Sequence, residues 1–229
     1  MEHLGKWPKA RVPIGPKRTN MPIIWQTEQP KETQVAVWEL SEELYILEEL
    51  FPSNIIDLSR PEEFAHPQNH TQWLATRILL GMLLNDYHKV ELYKTDFGKL
   101  MISNLNNIYI SVSHTQTHAA VSVSNYNTGI DIETKLEKID RIKHKFLNEQ
   151  EKTWAATNPE DALMIWCSKE CLYKLYEQKE LDFIKHITIQ KNDATFVGHI
   201  HKELYQKHFN LQHRHTHDYM LVWAIETII

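Results

Sequence analysis

The sequence predicts an α+β fold built as two α+β halves. Three observations lead there. Two long stretches, His66–Asp86 and Asp161–Gln178, carry apolar residues at helical spacing. Between and after them lie short β-prone runs rich in Val, Ile, Thr and Tyr. The order is strand, helix, strands, then strand, helix, helix, strands, with a weak break near Tyr126, so like elements cluster instead of alternating one by one. The boundaries follow: an arm over 1–22, an N-terminal half over 23–126 and a C-terminal half over 127–229.

Taken in order, Met1–Pro22 contains Pro8, Pro13 and Pro16 among Lys and Arg, which reads as an extended arm. Gln34–Glu39 alternates as a strand, and Ser41-Glu42-Glu43 opens a helix running to Leu50. In His66–Asp86, Leu74, Ile78 and Met82 repeat one turn apart, flanked by Trp73, Leu79 and Leu83, and Arg77 extends from the same helix. Asp96-Phe97-Gly98-Lys99 is a turn. Ile108–Ser113 and Ala119–Ser124 are strands, and Asn125-Tyr126-Asn127 turns the chain into a strand over Ile130–Glu133. Ile139, Ile142 and Phe146 form a helical stripe. From His186, four segments (Ile187–Ile189, Thr195–His201, Tyr205–His213 and Tyr219–Ile225) read as a meander.

At 229 residues, 42% apolar and 24% charged, the chain can bury a substantial core. A net charge of −5 gives no global basic field for nucleic acid or an anionic membrane, so phosphate must be bound by locally placed Lys, Arg and His. Cys167 and Cys171 are the only cysteines and share one predicted helix, which excludes a disulfide framework and leaves too few thiols for a Cys-based zinc site. Met1–Asn20 lacks an apolar signal core, and the apolar stretch at Ile78–Leu84 is too short to span a bilayer. The expectation is a cytoplasmic protein.

Two acidic clusters carry the chemistry. Asp131 and Glu133, within Gly129–Glu133, alternate with isoleucines, so their carboxylates leave one face of a sheet together. Glu170 and Lys174, within Trp166–Lys174, stand one helical turn apart. Three carboxylates meeting at a hard cation beside a lysine suit magnesium-assisted work on a phosphate. Read separately, the first cluster is equally a polar strand face and the second a helix salt bridge.

Together, and at this separation, the two motifs resemble the signature of the 4′-phosphopantetheinyl transferase superfamily, in its larger single-chain class that activates peptide synthetases such as surfactin synthetase. The likeness runs from Trp38 to Ile225 and includes the Arg77 helix, the Gly98-Lys99 turn and Ser111–His114. It implies two halves related by a pseudo-two-fold axis with coenzyme A in the cleft between them. It implies Mg2+ on Asp131, Glu133 and Glu170, with Glu151 as general base (Glu149 nearby as competitor). It implies Arg77, Lys99, Ser113, His114, Lys169 and Lys174 around coenzyme A, with Lys174 also aiding catalysis. The implied reaction moves 4′-phosphopantetheine from coenzyme A to a serine of an acyl or peptidyl carrier protein, in a monomeric enzyme; exposed apolar residues around the helix of Phe146 and Leu147 are the expected docking patch for the carrier.

The sequence departs from the pattern where relatives carry basic residues, at Gln68, Asn69 and His70, leaving His70 with Lys31 or Arg60 for the nucleotide's 3′-phosphate; Leu100 also replaces a common proline. Two rivals follow. One is a protein that binds coenzyme A or a carrier without catalysis; the other is a metal-dependent hydrolase of phosphate esters. Finally, His199 and His201, then His213, His215 and His217, recur at spacing two. Each set would share a strand face, yet no carboxylate or cysteine completes a zinc motif, so the reading is a solvated hairpin.

Overall fold

The structure, a computed structural model, describes residues 23–27, 33–53, 56–57, 66–85, 87, 89–134, 136–178, 180–193 and 195–226. The expected arm over 1–22, with Lys31 and Arg60, lies outside them. The element order is β1 (Ile23–Gln26), β2 (Thr33–Glu39), α1 (Leu44–Leu50), β3 (Ile56–Asp57), α2 (Pro67–Leu83), β4 (Val90–Lys94), β5 (Leu100–Ile102), β6 (Tyr109–His114), β7 (His118–Ser124), β8 (Thr128–Glu133), α3 (Leu136–Ile142), a 3-10 turn (Lys143–Lys145), α4 (Glu149–Ala155), α5 (Pro159–Tyr176), β9 (Ile187–Asn192), β10 (Thr195–Lys202), β11 (Tyr205–His215) and β12 (Met220–Ile225). The mixed α+β class is as expected, with two antiparallel sheets of order β1-β2-β7-β6 and β8-β12-β11-β10-β9 and a small third sheet β3-β4-β5.

Strand alternation builds a layered core. On β2, Ala36 and Trp38 face α2 together with Ala119, Val121 and Val123 of β7. Val35 and Val37 face the other way, against Ile130, Ile132 and Leu221 of the second sheet. The second sheet turns its opposite face to α5, where Leu172, Leu175, Phe209, Leu211 and Val222 meet. The layers are therefore α2, four-stranded sheet, five-stranded sheet, α5. Each fully buried leucine, such as Leu79 or Leu80, stabilises this stack by about 1.5–3 kcal/mol.

The chain changes sheets between β7 and β8. β7 pairs with β2 and β6, whereas β8 pairs with β12. Serines join the edges of β6 and β8: Ile130 N donates to Ser111 Oγ at 3.2 Å and Ile132 N to Ser113 Oγ at 3.3 Å. These hydroxyls satisfy edge amides that a backbone ladder would otherwise pair.

Some expectations shift. α1 begins at Leu44 with Glu43 as N-cap, so the acidic residues precede the first turn. Phe146 falls beyond α3, reached through the 3-10 turn, and Phe146 and Leu147 themselves are 1% and 2% exposed and belong to the core, so neither can be part of an exposed docking patch. The sequence reading does not anticipate β1, β3, β4 and β5; they are two to five residues long, too short for a period to register. Among the described residues no helix is long and apolar enough to cross a membrane.

Candidate functional site

The site starts from a glycine. On β8 a Cβ at Gly129 would stand 2.2 Å from the Cys171 carbonyl oxygen. Only a residue without a side chain lets α5 approach β8 this closely. Asp131 and Glu133 share the Gly129 face of the strand, so they too meet α5. The helix is anchored at its start by Asn158, whose side chain accepts from Glu160 N at 3.1 Å, with Pro159 in the first turn. It ends at Glu177 in the left-handed conformation, φ 57°.

This docking brings the two acidic motifs together. Lys174 Nζ donates to Asp131 Oδ1 at 2.9 Å and to Ile130 O at 2.8 Å. Ser113 Oγ donates to the same Asp131 oxygen at 2.8 Å. Glu133 accepts from Lys138 Nζ at 2.6 Å and from Thr134 N at 2.9 Å. Burial, then the Asp131 charge, pushes the Glu170 carboxyl group up to about 7, against the pull of Lys174 and Lys138. Glu170 makes no hydrogen bond among the described residues.

The donor set suits a hard divalent cation, since all three groups are carboxylates and the Glu170 charge is opposed by its neighbours. Among the described residues, however, no three His, Cys, Asp or Glu side chains already converge within ligating reach. Two ammonium groups, of Lys174 and Lys138, neutralise Asp131 and Glu133 instead. A cation entering here must displace at least the Lys174 contact.

Beside the cluster, between α2, β6 and the end of α5, opens a cavity of about 830 Å³ whose lining includes Trp73, Arg77, Lys99, His114, Tyr173 and Lys174. Arg77 is 5% exposed, stacks over Trp73 at 5.1 Å and donates from Nη1 to Thr76 Oγ1 at 2.8 Å. Its Nε is buried with no hydrogen-bond partner, and burial lowers its pKa to about 10. A buried guanidinium with an unsatisfied N–H on a cavity wall is a ready anion contact. Lys99 Nζ reaches Asn127 Oδ1 at 2.5 Å and Glu177 Oε2 at 3.3 Å, with its pKa lowered by burial and held up by Glu177. The His114 ring opens to the cavity at the end of β6; limited hydration, then the charges of Lys174 and Arg77, lower its pKa. The cavity thus gathers Arg77, Lys99, His114 and Lys174 from both sides of the sheet change, a surround suited to a multiply anionic ligand.

Two expected site residues sit elsewhere. Lys169 and Glu151 are both fully buried and paired at 2.7 Å. Lys169 Nζ also lies 2.7–2.9 Å from the carbonyl oxygens of Phe146, Phe183 and Ile187. Burial lowers its pKa, and Glu151 opposes that shift. Glu151 closes a capping box with Asn148 on α4 and accepts from Ile189 N at 2.9 Å. A side chain with no exposure cannot meet an incoming hydroxyl or phosphate, so a general base at Glu151 and a phosphate contact at Lys169 do not fit this geometry. The competitor Glu149 is exposed and paired with Lys152 at 2.7 Å. Of the substitute basic residues, His70 is buried and lies 3.8 Å from Glu48. Cys167 and Cys171 are buried, and burial raises both thiol pKa values far from any nucleophilic state.

Sequence reasoning missed the partner network of Lys169, because three of its acceptors are main-chain oxygens that leave no mark in side-chain pattern. It also missed His208, which the register places opposite His199.

Residues 127–224 match the family model of the 4′-phosphopantetheinyl transferase superfamily. The match spans β8 to β12, and so holds Asp131, Glu133, Glu170 and Lys174. Arg77, Lys99, Ser113 and His114 precede it. No curated protein matches the chain.

Proposed function

We propose that this chain transfers the 4′-phosphopantetheine group of coenzyme A to a serine hydroxyl of an acyl or peptidyl carrier protein, releasing adenosine 3′,5′-bisphosphate. The observation that carries this reading is the contact of Asp131 with Lys174 across β8 and α5, with the Asp131 charge acting on Glu170 one turn earlier, beside a cavity walled by Arg77, Lys99, His114 and Lys174. The superfamily match over the strand and helix that hold those carboxylates supports it.

The roles divide by chemistry. Asp131, Glu133 and Glu170 would hold Mg2+, which on binding the pyrophosphate would polarise the phosphorus and neutralise charge on the leaving phosphate. Released from Asp131, the Lys174 ammonium would turn to the same phosphate oxygens, a move its flexible stem permits. Arg77 would donate its unsatisfied N–H to a phosphate, while Lys99 and His114 would line the nucleotide side. Ser113 orients Asp131. Glu151 and Lys169 hold α4, α5 and β9 in register and are positioning residues. Glu170, whose carboxyl group is raised to about 7 by burial and the Asp131 charge, would give up its proton on binding the cation.

The finer expectations belong to the same proposal: the single-chain class that acts on peptide synthetases, halves over 23–126 and 127–229 related by a pseudo-two-fold axis, a monomer, and a cytoplasmic setting. The ammonium contacts on Asp131 and Glu133 are the one observation that favours a non-catalytic binder of coenzyme A. The deciding experiment incubates the protein with coenzyme A, Mg2+ and a panel of apo-carrier proteins. Intact-mass spectrometry of the carriers is expected to find a gain of one phosphopantetheine group, absent with Glu170→Gln. Bound but intact coenzyme A with no gain on any carrier would establish the binder; coenzyme A cleaved without a carrier would establish a hydrolase.

A further inference from the structure

The five-stranded sheet presents its histidines on two opposite faces. On β11, His213 shares the α5 face with Phe209 and Leu211, its ring 5.1 Å from that of Phe196, and His215 lies 3.6 Å from Glu160. His199 and His201 on β10 point the other way, since Gly198 and Ile200 between and beside them face the core. The antiparallel register sets His208 of β11 directly opposite His199. Three imidazoles therefore meet on the outer face: His199 and His201 are stacked with ring centres 5.8 Å apart, and His199 and His208 lie 6.3 Å apart.

One atom in this group is unsatisfied. His199 Nε2 is buried and has no hydrogen-bond partner. A buried ring nitrogen is normally paired, so an orphan one leaves a lone pair or N–H for a water or an ion to meet. Imidazole nitrogen favours borderline transition metals such as Zn2+, Cu2+ and Ni2+ over Mg2+. With zinc–nitrogen bonds of about 2.0–2.1 Å, two rings on one tetrahedral ion stand with centres roughly 5 Å apart. The separations found here, 5.8 and 6.3 Å, exceed that by about 1 Å, so the rings must reorient to share an ion. The three rings do not yet converge within ligating reach, so closure falls to His201 and His208, both exposed, against the more buried His199.

We propose that His199, His201 and His208 form a transition-metal site of the zinc class on the outer face of the five-stranded sheet, separate from the carboxylate cluster, which lies on the α5 face of the same sheet. The first strand supplies two ligands at spacing two and the second supplies one by cross-strand register. Solvent completes the coordination.

The test uses the full-length, chelator-stripped protein and Zn2+ alone, titrated against a chromophoric competitor with and without a large excess of Mg2+. One equivalent is expected to bind and to persist in Mg2+. His199→Gln and His208→Gln should each weaken binding by about tenfold or more, as loss of a direct ligand should cost at least what loss of a supporting contact does. His215→Gln, on the other face, should leave it unchanged, and circular dichroism checks that each variant folds. The proposal is overturned if both substitutions leave the affinity intact in folded protein, if excess Mg2+ removes the zinc, or if no zinc binds.

Discussion

Lys169 Nζ lies 2.7 Å from Glu151 Oε2, with neither side chain exposed to solvent. The pair sits at the junction of α4, α5 and β9, one residue from Glu170, and the remaining contacts of both groups go to main-chain atoms of the surrounding elements. Removing one charge from such a pair strands the other in a low-dielectric interior. Lys169→Met should therefore destabilise the fold by about 3–5 kcal/mol, and the double change Lys169→Met with Glu151→Leu should recover much of that loss. Urea unfolding of the three proteins measures it. A stable Lys169→Met protein that no longer binds coenzyme A would instead return Lys169 to the ligand.

Glu170 makes stability depend on pH. Its folded pKa, about 7, stands above the ordinary 4.5. The unfolded chain gives up this proton first, so between those values the folded state binds more protons and stability falls as pH rises. The contribution is fully present below about 4.5 and is lost as pH climbs through about 7, on the order of 3 kcal/mol at most. Glu170→Gln should flatten that window and be more stable than the parent at pH 8, while losing transfer activity. Thermal unfolding against pH checks the first part; a variant with an unchanged slope would show that Glu170 is an ordinary surface carboxylate.

Arg77 is buried with an unused N–H on the cavity wall. A charge-assisted hydrogen bond contributes about 1.5–3 kcal/mol, so Arg77→Met should weaken coenzyme A binding on the order of tenfold to a hundredfold. It should not lower the unfolding midpoint, because the apolar replacement relieves an unpaired buried charge. Calorimetry with coenzyme A and with adenosine 3′,5′-bisphosphate reads the effect, the second ligand locating it at the nucleotide end. Unchanged affinity together with lost stability would make Arg77 structural.

Much of the site was legible because its signals are local. The alternation in Gly129–Glu133 put two carboxylates on one strand face, and the Glu170–Lys174 spacing put two charges on one helix face. Both are properties of backbone geometry that any chain obeys. The same rule found α2, α5 and the four-strand meander, each long or strongly patterned. It failed at β1, β3, β4 and β5, where two to five residues are too few for a period to register.

Glu151, Lys169 and the histidines mark where local pattern stops. A Glu beside a helix start and a Lys beside a Glu read the same whether they face solvent or core. Packing α5 against α4 and β9 sealed them in, and desolvation turned a candidate general base and a candidate coenzyme A contact into a buried ion pair. His201 and His213 look alike in the sequence, yet register and sheet cover sent one to the outer face and the other against Phe196.

By itself, then, the chain's sequence determined the α+β class, the principal helices and strands, and the pairing of carboxylates within each motif, since these depend on neighbours a few residues apart. The tertiary structure alone decided which charges meet. Gly129 admits the Cys171 carbonyl at a distance no side chain would allow, and that one close approach sets Lys174 on Asp131 and Glu170 beside it. Electrostatic character depends on distance and burial, and both are set by contacts between segments far apart along the chain.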